Sequence, residues 1–196
     1  MLKRIALITF VGIFMTTQAI AGVTDEIKKT VDDVVRIVSD KEMKNNESGR
    51  RQALKEAIGD IFDYREMAKR SLGRHWKRRT PQERKYFVEL FATLLENSYA
   101  DKLESYHNEK IEYLRERVDG GYAEVRSRVH TANHDEFSLD YRLMKKKGKW
   151  MVYDVVIEGV SLVSNYRSQF NRIIRSDGYA ELVRKLETKR EELKAP

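Results

Sequence analysis

Few residues of this sequence have the type and spacing that catalysis or metal binding requires. The four histidines are His75, His107, His130 and His134, and only the last two are close enough in sequence to share a metal ion. A four-residue spacing brings two ligands together on a helix, whereas these two histidines flank the end of a predicted strand. We therefore interpret them as surface histidines at a turn, and we predict neither a metal nor a cofactor.

The carboxylates give only weak candidates for acid–base catalysis. Adjacent pairs such as Asp32 and Asp33 fall on the polar face of a predicted helix. An enzyme acting on an apolar substrate needs a buried acid or base, and the candidates for that role are Asp140, Asp154 and Glu158. The absence of cysteine excludes disulfides, thiolate catalysis and cysteine-bound zinc. Since no Gly-x-Ser-x-Gly, His-Glu-x-x-His or phosphate-binding glycine loop occurs either, we predict that the protein is not an enzyme.

The basic residues are more informative than the acidic ones. The 196-residue chain has 38 Lys and Arg against 31 Asp and Glu, a net charge of +7, which indicates an acidic partner. Nine of these basic residues fall between positions 65 and 85, where only two glutamates accompany them. Such a run is either a solvated helix surface or a patch that docks anionic headgroups or an acidic protein. The candidates for docking are Arg74, Lys77, Arg78 and Arg79.

The first 21 residues have the pattern of a cleaved secretory signal. Lys3 and Arg4 precede an uncharged run that ends in Ala-Ile-Ala, a sequence that signal peptidase accepts. The run is near the lower limit for a membrane-spanning helix, but a Thr-Thr-Gln sequence weakens its C-terminal end. We predict a signal peptide over 1–21 and a single domain over 22–196, exported to the periplasm of a bacterium. Because Lys3 and Arg4 leave with the signal, the net charge falls from +7 to +5, and export argues against nucleic acid as the partner.

Any binding site in the remaining chain must be positioned by helices, then strands, then helices. Apolar residues recur at helical spacing up to about residue 72, and Thr24 is a candidate cap for the first helix. The Thr-Pro-Gln-Glu sequence at 80–83 is a capping box that starts a long helix. Alternating apolar and polar residues from 110, and a β-rich run at 150–157, then predict strands, and the short turns between them imply an antiparallel sheet. The helical period returns after Gly159 and breaks at Gly178. The predicted fold class is α+β, with N-terminal helices, a four-stranded antiparallel sheet and C-terminal helices.

Aromatic residues concentrate on the long helix, the sheet and the closing helix. Stripes of this kind usually fill a core. However, a long helix laid across a curved sheet commonly leaves a cavity between the two. If these side chains line such a cavity, its ligand is large and apolar.

Two stretches of the chain carry a resemblance to a known family. The first contains Phe62-Asp63-Tyr64, Met67-Ala68, Leu72-Gly73 and Trp76, followed by Thr80-Pro81, Phe87, Phe91, Leu95 and Tyr99. The second contains Trp150, Val152-Tyr153-Asp154-Val155, Glu158-Gly159-Val160-Ser161-Leu162 and Asn165-Tyr166-Arg167. In these motifs, in their order and spacing, the chain resembles the MlaC family of periplasmic phospholipid-binding proteins, also called the toluene-tolerance Ttg2 family. The resemblance covers nearly all of the chain after the signal.

The resemblance implies a carrier that shuttles phospholipid between the two membranes of a Gram-negative envelope and so maintains the lipid asymmetry of the outer membrane. Its partners would be an outer-membrane lipoprotein–porin complex and an inner-membrane ABC transporter complex with MCE-domain subunits. The family fold has a nuclear-transport-factor-like sheet, with helices that enclose an apolar pocket. Acyl chains would lie inside this pocket and the headgroup near solvent. A shuttle of this kind is most simply a monomer.

Apolar residues of the long helix, the sheet and the closing helix are the candidates for lining such a pocket. They are Phe87, Phe91, Leu94, Leu95, Tyr99, Val125, Val129, Leu139, Tyr141, Leu143, Trp150, Val152, Tyr166 and Phe170. Arg167 is a candidate for the headgroup phosphate, and the alternative is that it pairs with Glu158 or Asp154. The Gly-Val-Ser-Leu sequence at 159–162 is a candidate hinge between the last strand and the closing helix.

Two other functions remain open from the sequence alone. One is a periplasmic enzyme that acts on an apolar substrate in the same pocket. The other is a basic adaptor module whose aromatic residues only fill a core. A filled interior would favour the adaptor, whereas a cavity that contains a buried acid or base would favour the enzyme.

Overall fold

The structure, a computed structural model, describes the backbone of residues 22–104 and 109–192 and the side chains of 22–99 and 109–192. The signal peptide predicted over 1–21 lies outside the described residues. The helices that precede the sheet are α1 (Val23–Ser39), α2 (Lys41–Lys44), α3 (Glu47–Gly59), α4 (Tyr64–Leu72), a 3-10 helix (Gly73–Arg78) and α5 (Pro81–Glu104). The strands and the closing helix are β1 (Lys110–Asp119), β2 (Tyr122–His130), β3 (Glu136–Lys146), β4 (Lys149–Ile157), β5 (Val160–Ser161) and α6 (Leu162–Glu192). Within the described ranges, every helix is too short or too polar to span a membrane.

Local sequence explains where α5 and α4 begin. The Thr80 backbone N–H donates to the Glu83 carboxylate over 2.7 Å, and the Glu83 backbone N–H donates to the Thr80 hydroxyl over 3.1 Å. This reciprocal pair is the capping box predicted from sequence. The Asp63 carboxylate accepts a hydrogen bond of 3.0 Å from the Glu66 backbone N–H and so caps α4. Both helices therefore begin at residues whose side chains satisfy free backbone donors.

The N-terminus of α1 differs from the prediction. The helix begins at Val23 with Gly22 at the cap position, so the assignment of Thr24 as the cap is wrong. Thr24 instead donates its backbone N–H and its hydroxyl to the Glu116 carboxylate on β1, at 2.8 and 2.6 Å. The cap was mispredicted because this partner lies in a strand far along the chain. The contact fastens α1 to the sheet.

The strands form one antiparallel sheet in the order β1-β2-β3-β4-β5. The α+β fold class is confirmed, but the predicted count of four strands is wrong. Val160 and Ser161 form a fifth strand, which pairs with Ile157 and Val156 of β4. A two-residue strand is too short to show an alternating pattern, so the sequence of this segment indicates only a junction between the last long strand and the closing helix. The predicted break in the closing helix is present, because Gly178 has a φ of 87° within α6.

The interior consists of two apolar clusters, one between helices and one against the sheet. In the first, Phe87 and Phe91 of α5 pack on Tyr166 and Phe170 of α6, with ring centroids 5.4 to 5.8 Å apart. Edge-to-face pairs at such distances add stability beyond burial alone. In the second, buried residues of β2, β3 and β4 pack against the α1 face that carries Ile27. The aromatic stripes of α5 and α6 therefore serve mainly to join these two helices.

The segment between α3 and α4 is held directly on the sheet. Val152 of β4 donates its backbone N–H to the Ile61 carbonyl at 2.7 Å, and Asp63 donates its backbone N–H to the Val152 carbonyl at 2.9 Å. The Asp63 carboxylate also pairs with Lys146 of β3 at 2.5 Å. These contacts fix the end of α3 against the middle of β4. They determine how far the rest of α3 stands from the sheet.

Candidate binding cavity

A cavity of about 510 Å³ lies between α3, the C-terminal half of α5 and the inner face of the sheet. This volume is within the range of sites that hold small organic ligands. Its lining residues are Ser48, Arg51, Gln52, Leu54, Lys55, Ile58, Phe62, Tyr64, Met67, Leu95, Glu96, Asn97, Tyr99, Leu139, Tyr141, Val155, Ile157 and Leu162. A large interior space is present, so the adaptor with a filled interior is not favoured.

The cavity is apolar in its depth and polar at one end. Leu54, Met67, Leu95 and Val155 are among the buried lining residues and give the deep walls an aliphatic surface. At the other end the lining residues of α3 are polar and exposed to solvent: Ser48, Arg51, Gln52 and Lys55. Their spacing of three and four residues places them on one face of the helix. This arrangement suits a ligand with a long apolar part and a polar or charged end.

Burial perturbs the ionisable groups of the lining. Burial raises the pKa of the Tyr141 and Tyr64 hydroxyls, and the nearby Glu96 carboxylate raises that of Tyr64 further. Both phenols therefore stay neutral in the physiological range. Burial also raises the pKa of Glu96, against the opposing effect of Lys55, whose Nζ lies 3.2 Å from a Glu96 carboxylate oxygen. Glu96 is thus a partly desolvated carboxylate in a largely apolar wall.

The structure divides the residues predicted to line a pocket into two groups. Leu95, Tyr99, Leu139 and Tyr141 line the cavity. The other ten lie outside the lining, buried or packed in the two apolar clusters and on β2: Phe87, Phe91, Leu94, Val125, Val129, Leu143, Trp150, Val152, Tyr166 and Phe170. The prediction treated each apolar stripe as one surface, whereas each stripe here is shared between core and cavity. Lipid contact by these residues stays a prediction.

The cavity residues of α3 and α4 are not among those predicted from the sequence to line a pocket. The apolar residues of this region recur at helical spacing, but nothing local distinguishes a face that packs from a face that borders a space. Phe62, Tyr64 and Met67 stood among the family motifs without a role. The one signal in the sequence that pointed to Phe62, Tyr64 and Met67 was their position in the first of the two stretches that carry the resemblance to the MlaC family.

The three carboxylates considered as catalytic candidates lie outside the cavity lining. Asp154 accepts hydrogen bonds from the Ser161 hydroxyl and the Val163 backbone N–H, and it pairs with Arg142. Asp140 accepts from the Ser127 backbone N–H at 3.1 Å. Glu158 accepts from the backbone N–H of Ser138. Asp154 joins a strand to a helix, and Asp140 and Glu158 bind backbone N–H groups of β2 and β3, so these contacts give no support to a catalytic role.

The basic residues predicted to dock a partner differ in what they contact. Lys77 and Arg78 are exposed on the 3-10 helix, and Arg74 donates to Asn171 of α6 at 3.0 Å. Arg79 pairs with Glu83 at 3.0 Å and lies over the Tyr179 ring. This part of the run therefore holds α5 and α6 together as well as presenting charge.

Arg167 makes neither of the contacts considered for it. Its Nε donates to the Arg70 carbonyl at 2.7 Å, and its side chain packs over Gly73. It joins α6 to the end of α4, away from the cavity lining.

His130 lies between Glu112 and Glu136, at 3.2 and 2.9 Å. In the part of the chain that the structure describes, no group of three or more His, Asp or Glu side chains is arranged to hold a metal ion.

Comparison with known proteins agrees with this geometry. The family described as MlaC protein matches residues 28–188. The intermembrane phospholipid transport system binding protein MlaC of Haemophilus influenzae is 31% identical over 121 residues, which are 59% of this chain and 56% of that protein. The toluene tolerance protein ttg2D of Pseudomonas putida is 26% identical over 137 residues, 69% of this chain and 64% of that protein. The chain thus covers less than two thirds of either relative.

A solved structure covers more of the chain. The phospholipid-binding protein of Ralstonia solanacearum, determined in complex with a phospholipid, superposes with a TM-score of 0.81 at 29% identity. The match covers 89% of this chain and 100% of that chain. Together with the family match over 28–188, this similarity shows that the chain belongs to the MlaC family.

Proposed function

We propose that this protein is a periplasmic phospholipid carrier. It takes the acyl chains of a phospholipid into the cavity and keeps the headgroup at the polar end formed by α3. The observation that carries the proposal is the cavity of about 510 Å³, which is apolar in its depth and charged at one end. The phospholipid bound by the Ralstonia solanacearum protein supports the same ligand class.

The physical chemistry of lipids explains the need for such a cavity. A diacyl phospholipid has about 30 methylenes, each of which contributes roughly 0.8 kcal/mol on leaving water. Spontaneous transfer through an aqueous compartment is therefore very slow. A carrier must cover the acyl chains, and unspecific apolar side chains such as Leu95, Leu139 and Val155 are sufficient for that purpose. This accounts for a family without sharp chemical motifs.

The proposed route runs between an outer-membrane lipoprotein–porin complex and an inner-membrane ABC transporter complex with MCE-domain subunits. Transport along it maintains the lipid asymmetry of the outer membrane. Exposed Lys77 and Arg78 are the residues proposed to contact acidic partner surfaces during docking. We propose no catalytic step, since the acids considered for one support the fold and the lining acid, Glu96, is paired with Lys55.

The test is to purify the full chain from a bacterial periplasm without detergent and to extract it with organic solvent. We expect diacyl phospholipid at about one molecule per chain, identified by mass spectrometry. An exported protein of similar size, purified in parallel, controls for carried-over membrane. Recovery of no more lipid than in this control would overturn the proposed function.

A further inference from the structure

The charged residues of the cavity lining are gathered at its solvent-facing end. Arg51 and Lys55 lie one turn apart on α3, and Glu96 faces them from α5. Lys55 Nζ is 3.2 Å from a Glu96 carboxylate oxygen, and an Arg51 guanidinium nitrogen is 2.9 Å from Glu47. The end of the cavity therefore presents two cations and one carboxylate to whatever part of a ligand lies there.

Glu96 is the least solvated member of this group. Its side chain is 19% exposed, whereas that of Lys55 is 55% exposed. The neighbouring lining residues of α5, Leu95 and Tyr99, provide it with no charge. A carboxylate in this position needs a nearby cation to stay ionised at low cost, and Lys55 is the cation that pairs with it.

A phospholipid headgroup changes this balance. Its phosphodiester is an anion, and Lys55 and Arg51 are the donors that can bind it where the acyl chains leave the cavity. When Lys55 turns toward the phosphate, Glu96 loses its partner unless the ligand brings a cation. A primary ammonium group brings one and can also donate hydrogen bonds to the carboxylate. A trimethylammonium group has no N–H, and a glycerol headgroup has no positive charge.

We propose that Lys55 and Glu96 form a headgroup site that selects phospholipids with a primary-amine zwitterionic headgroup, of the phosphatidylethanolamine class. The inference rests on the proposed function, because it requires a lipid in the cavity. Lys55 holds the phosphate, and Glu96 holds the ammonium group. Arg51 supplies a second donor to the phosphate.

The test is a competition between headgroups at constant acyl chains. Full-length protein is incubated with vesicles of equal phosphatidylethanolamine, phosphatidylcholine and phosphatidylglycerol, then separated and extracted for mass spectrometry. We expect the wild-type protein to be enriched in phosphatidylethanolamine over each of the other two lipids, by roughly threefold or more. Glu96→Gln should bring the bound ratio close to that of the vesicles. Glu89→Gln, the same change at an exposed position of α5, should keep the wild-type ratio.

A second variant keeps the test independent of how well Glu96→Gln folds. Lys55 is half exposed, so Lys55→Gln should fold, and it leaves Glu96 dependent on the ligand for a cation. It should therefore bind less lipid in total, with a larger share of phosphatidylethanolamine. A wild-type ratio equal to that of the vesicles, or a ratio that neither variant changes, overturns the headgroup site and leaves the carrier intact. A wild-type protein that takes up no lipid overturns the carrier itself.

Discussion

The Asp154 carboxylate accepts a hydrogen bond of 3.0 Å from the Val163 backbone N–H and thereby joins β4 to the first turn of α6. The same carboxylate accepts from the Ser161 hydroxyl at 2.6 Å and pairs with Arg142 at 3.2 Å. Asp154 is 3% exposed, so removal of its carboxylate would leave the buried Val163 N–H without an acceptor. This one side chain connects the sheet, the short fifth strand and the closing helix.

Replacing Asp154 with alanine should lower the free energy of unfolding by about 3 kcal/mol, because it leaves buried donors unsatisfied. Chemical denaturation monitored by circular dichroism measures the change. Asp135→Ala, at an exposed loop position, is the control and should stay within about 0.5 kcal/mol of wild type. Equal losses in the two variants would show that the Asp154 contacts do not stabilise the fold.

Gly73 is required by its backbone conformation. It has φ 54° and ψ −126° where α4 meets the 3-10 helix, a region that residues with a Cβ rarely adopt. We expect Gly73→Ala to destabilise the protein by about 1–3 kcal/mol. A Cβ at this position would meet the Arg167 side chain at 3.6 Å, an ordinary contact, so the cost comes from the backbone.

Gly59 provides the comparison for Gly73. It ends α3, and a Cβ placed there meets nothing within 4 Å. Gly59→Ala should be neutral or stabilise by up to about 1 kcal/mol through the unfolded chain. Thermal melts of both variants test the contrast, and a Gly73→Ala protein as stable as Gly59→Ala would contradict it.

The capping box at the start of α5 should contribute measurably to stability. Thr80→Ala removes the acceptor for the Glu83 backbone N–H and should cost about 1 kcal/mol. Thr188→Ala is matched in chemistry, since that exposed hydroxyl only donates to a carbonyl within α6. Denaturant midpoints should fall for Thr80→Ala and remain nearly unchanged for Thr188→Ala. The opposite order would argue against a stabilising role of the box.

Filling the cavity should displace lipid without unfolding the protein. Ile58 lines the cavity from α3, and Ile58→Trp adds an indole to space that acyl chains would occupy. We expect the amount of extracted phospholipid to fall by at least about half while the melting temperature is kept. Val118→Trp adds the same group on β1 at a position that is 49% exposed and should bind lipid like wild type. Full lipid occupancy in Ile58→Trp would place the ligand elsewhere.

The partly buried carboxylate of Glu96 should make stability depend on pH in the lipid-free protein. Burial raises its pKa above the ordinary value of 4.5 despite Lys55, so the folded state binds its proton more tightly than the unfolded state. Its ionisation therefore lowers stability as pH rises from about 4.5 through the raised pKa, and the loss is complete above it.

Glu96→Gln removes this ionisation and should be more stable than wild type at pH 7, by less than about 1 kcal/mol, with no difference at pH 4. Denaturation of delipidated protein at several pH values measures the difference. Glu89→Gln, which is exposed on the same helix, should show no such trend. An advantage of Glu96→Gln that shrinks as the pH rises would have the wrong sign for this mechanism.

Much of the fold could be predicted from the sequence because it depends on neighbours along the chain. The capping box of Thr80 and Glu83 is complete within four residues, and the break at Gly178 comes from a single residue with positive φ. Strands β1, β2 and β3 show alternation directly, and β4 is recognisable as a run of β-branched and aromatic residues. The cap at Thr24 was mispredicted because the partner of Thr24, Glu116, lies in a strand far along the chain. The strand at Val160–Ser161 was missed because two residues are too few to show a pattern.

The sequence alone determined the α+β class, the start of α5 and the apolar stripes, since propensity, capping and periodicity act over a few residues. It could not determine which part of a stripe packs and which borders the cavity. Phe87 and Leu95 belong to the same stripe of α5, yet Phe87 packs against α6 and Leu95 lines the cavity. That difference depends on the distance between α3 and the sheet, which is fixed by the hydrogen bonds from the Val152 N–H to the Ile61 carbonyl and from the Asp63 N–H to the Val152 carbonyl. Only the tertiary structure decides it, because those bonds join segments about 90 residues apart in the chain.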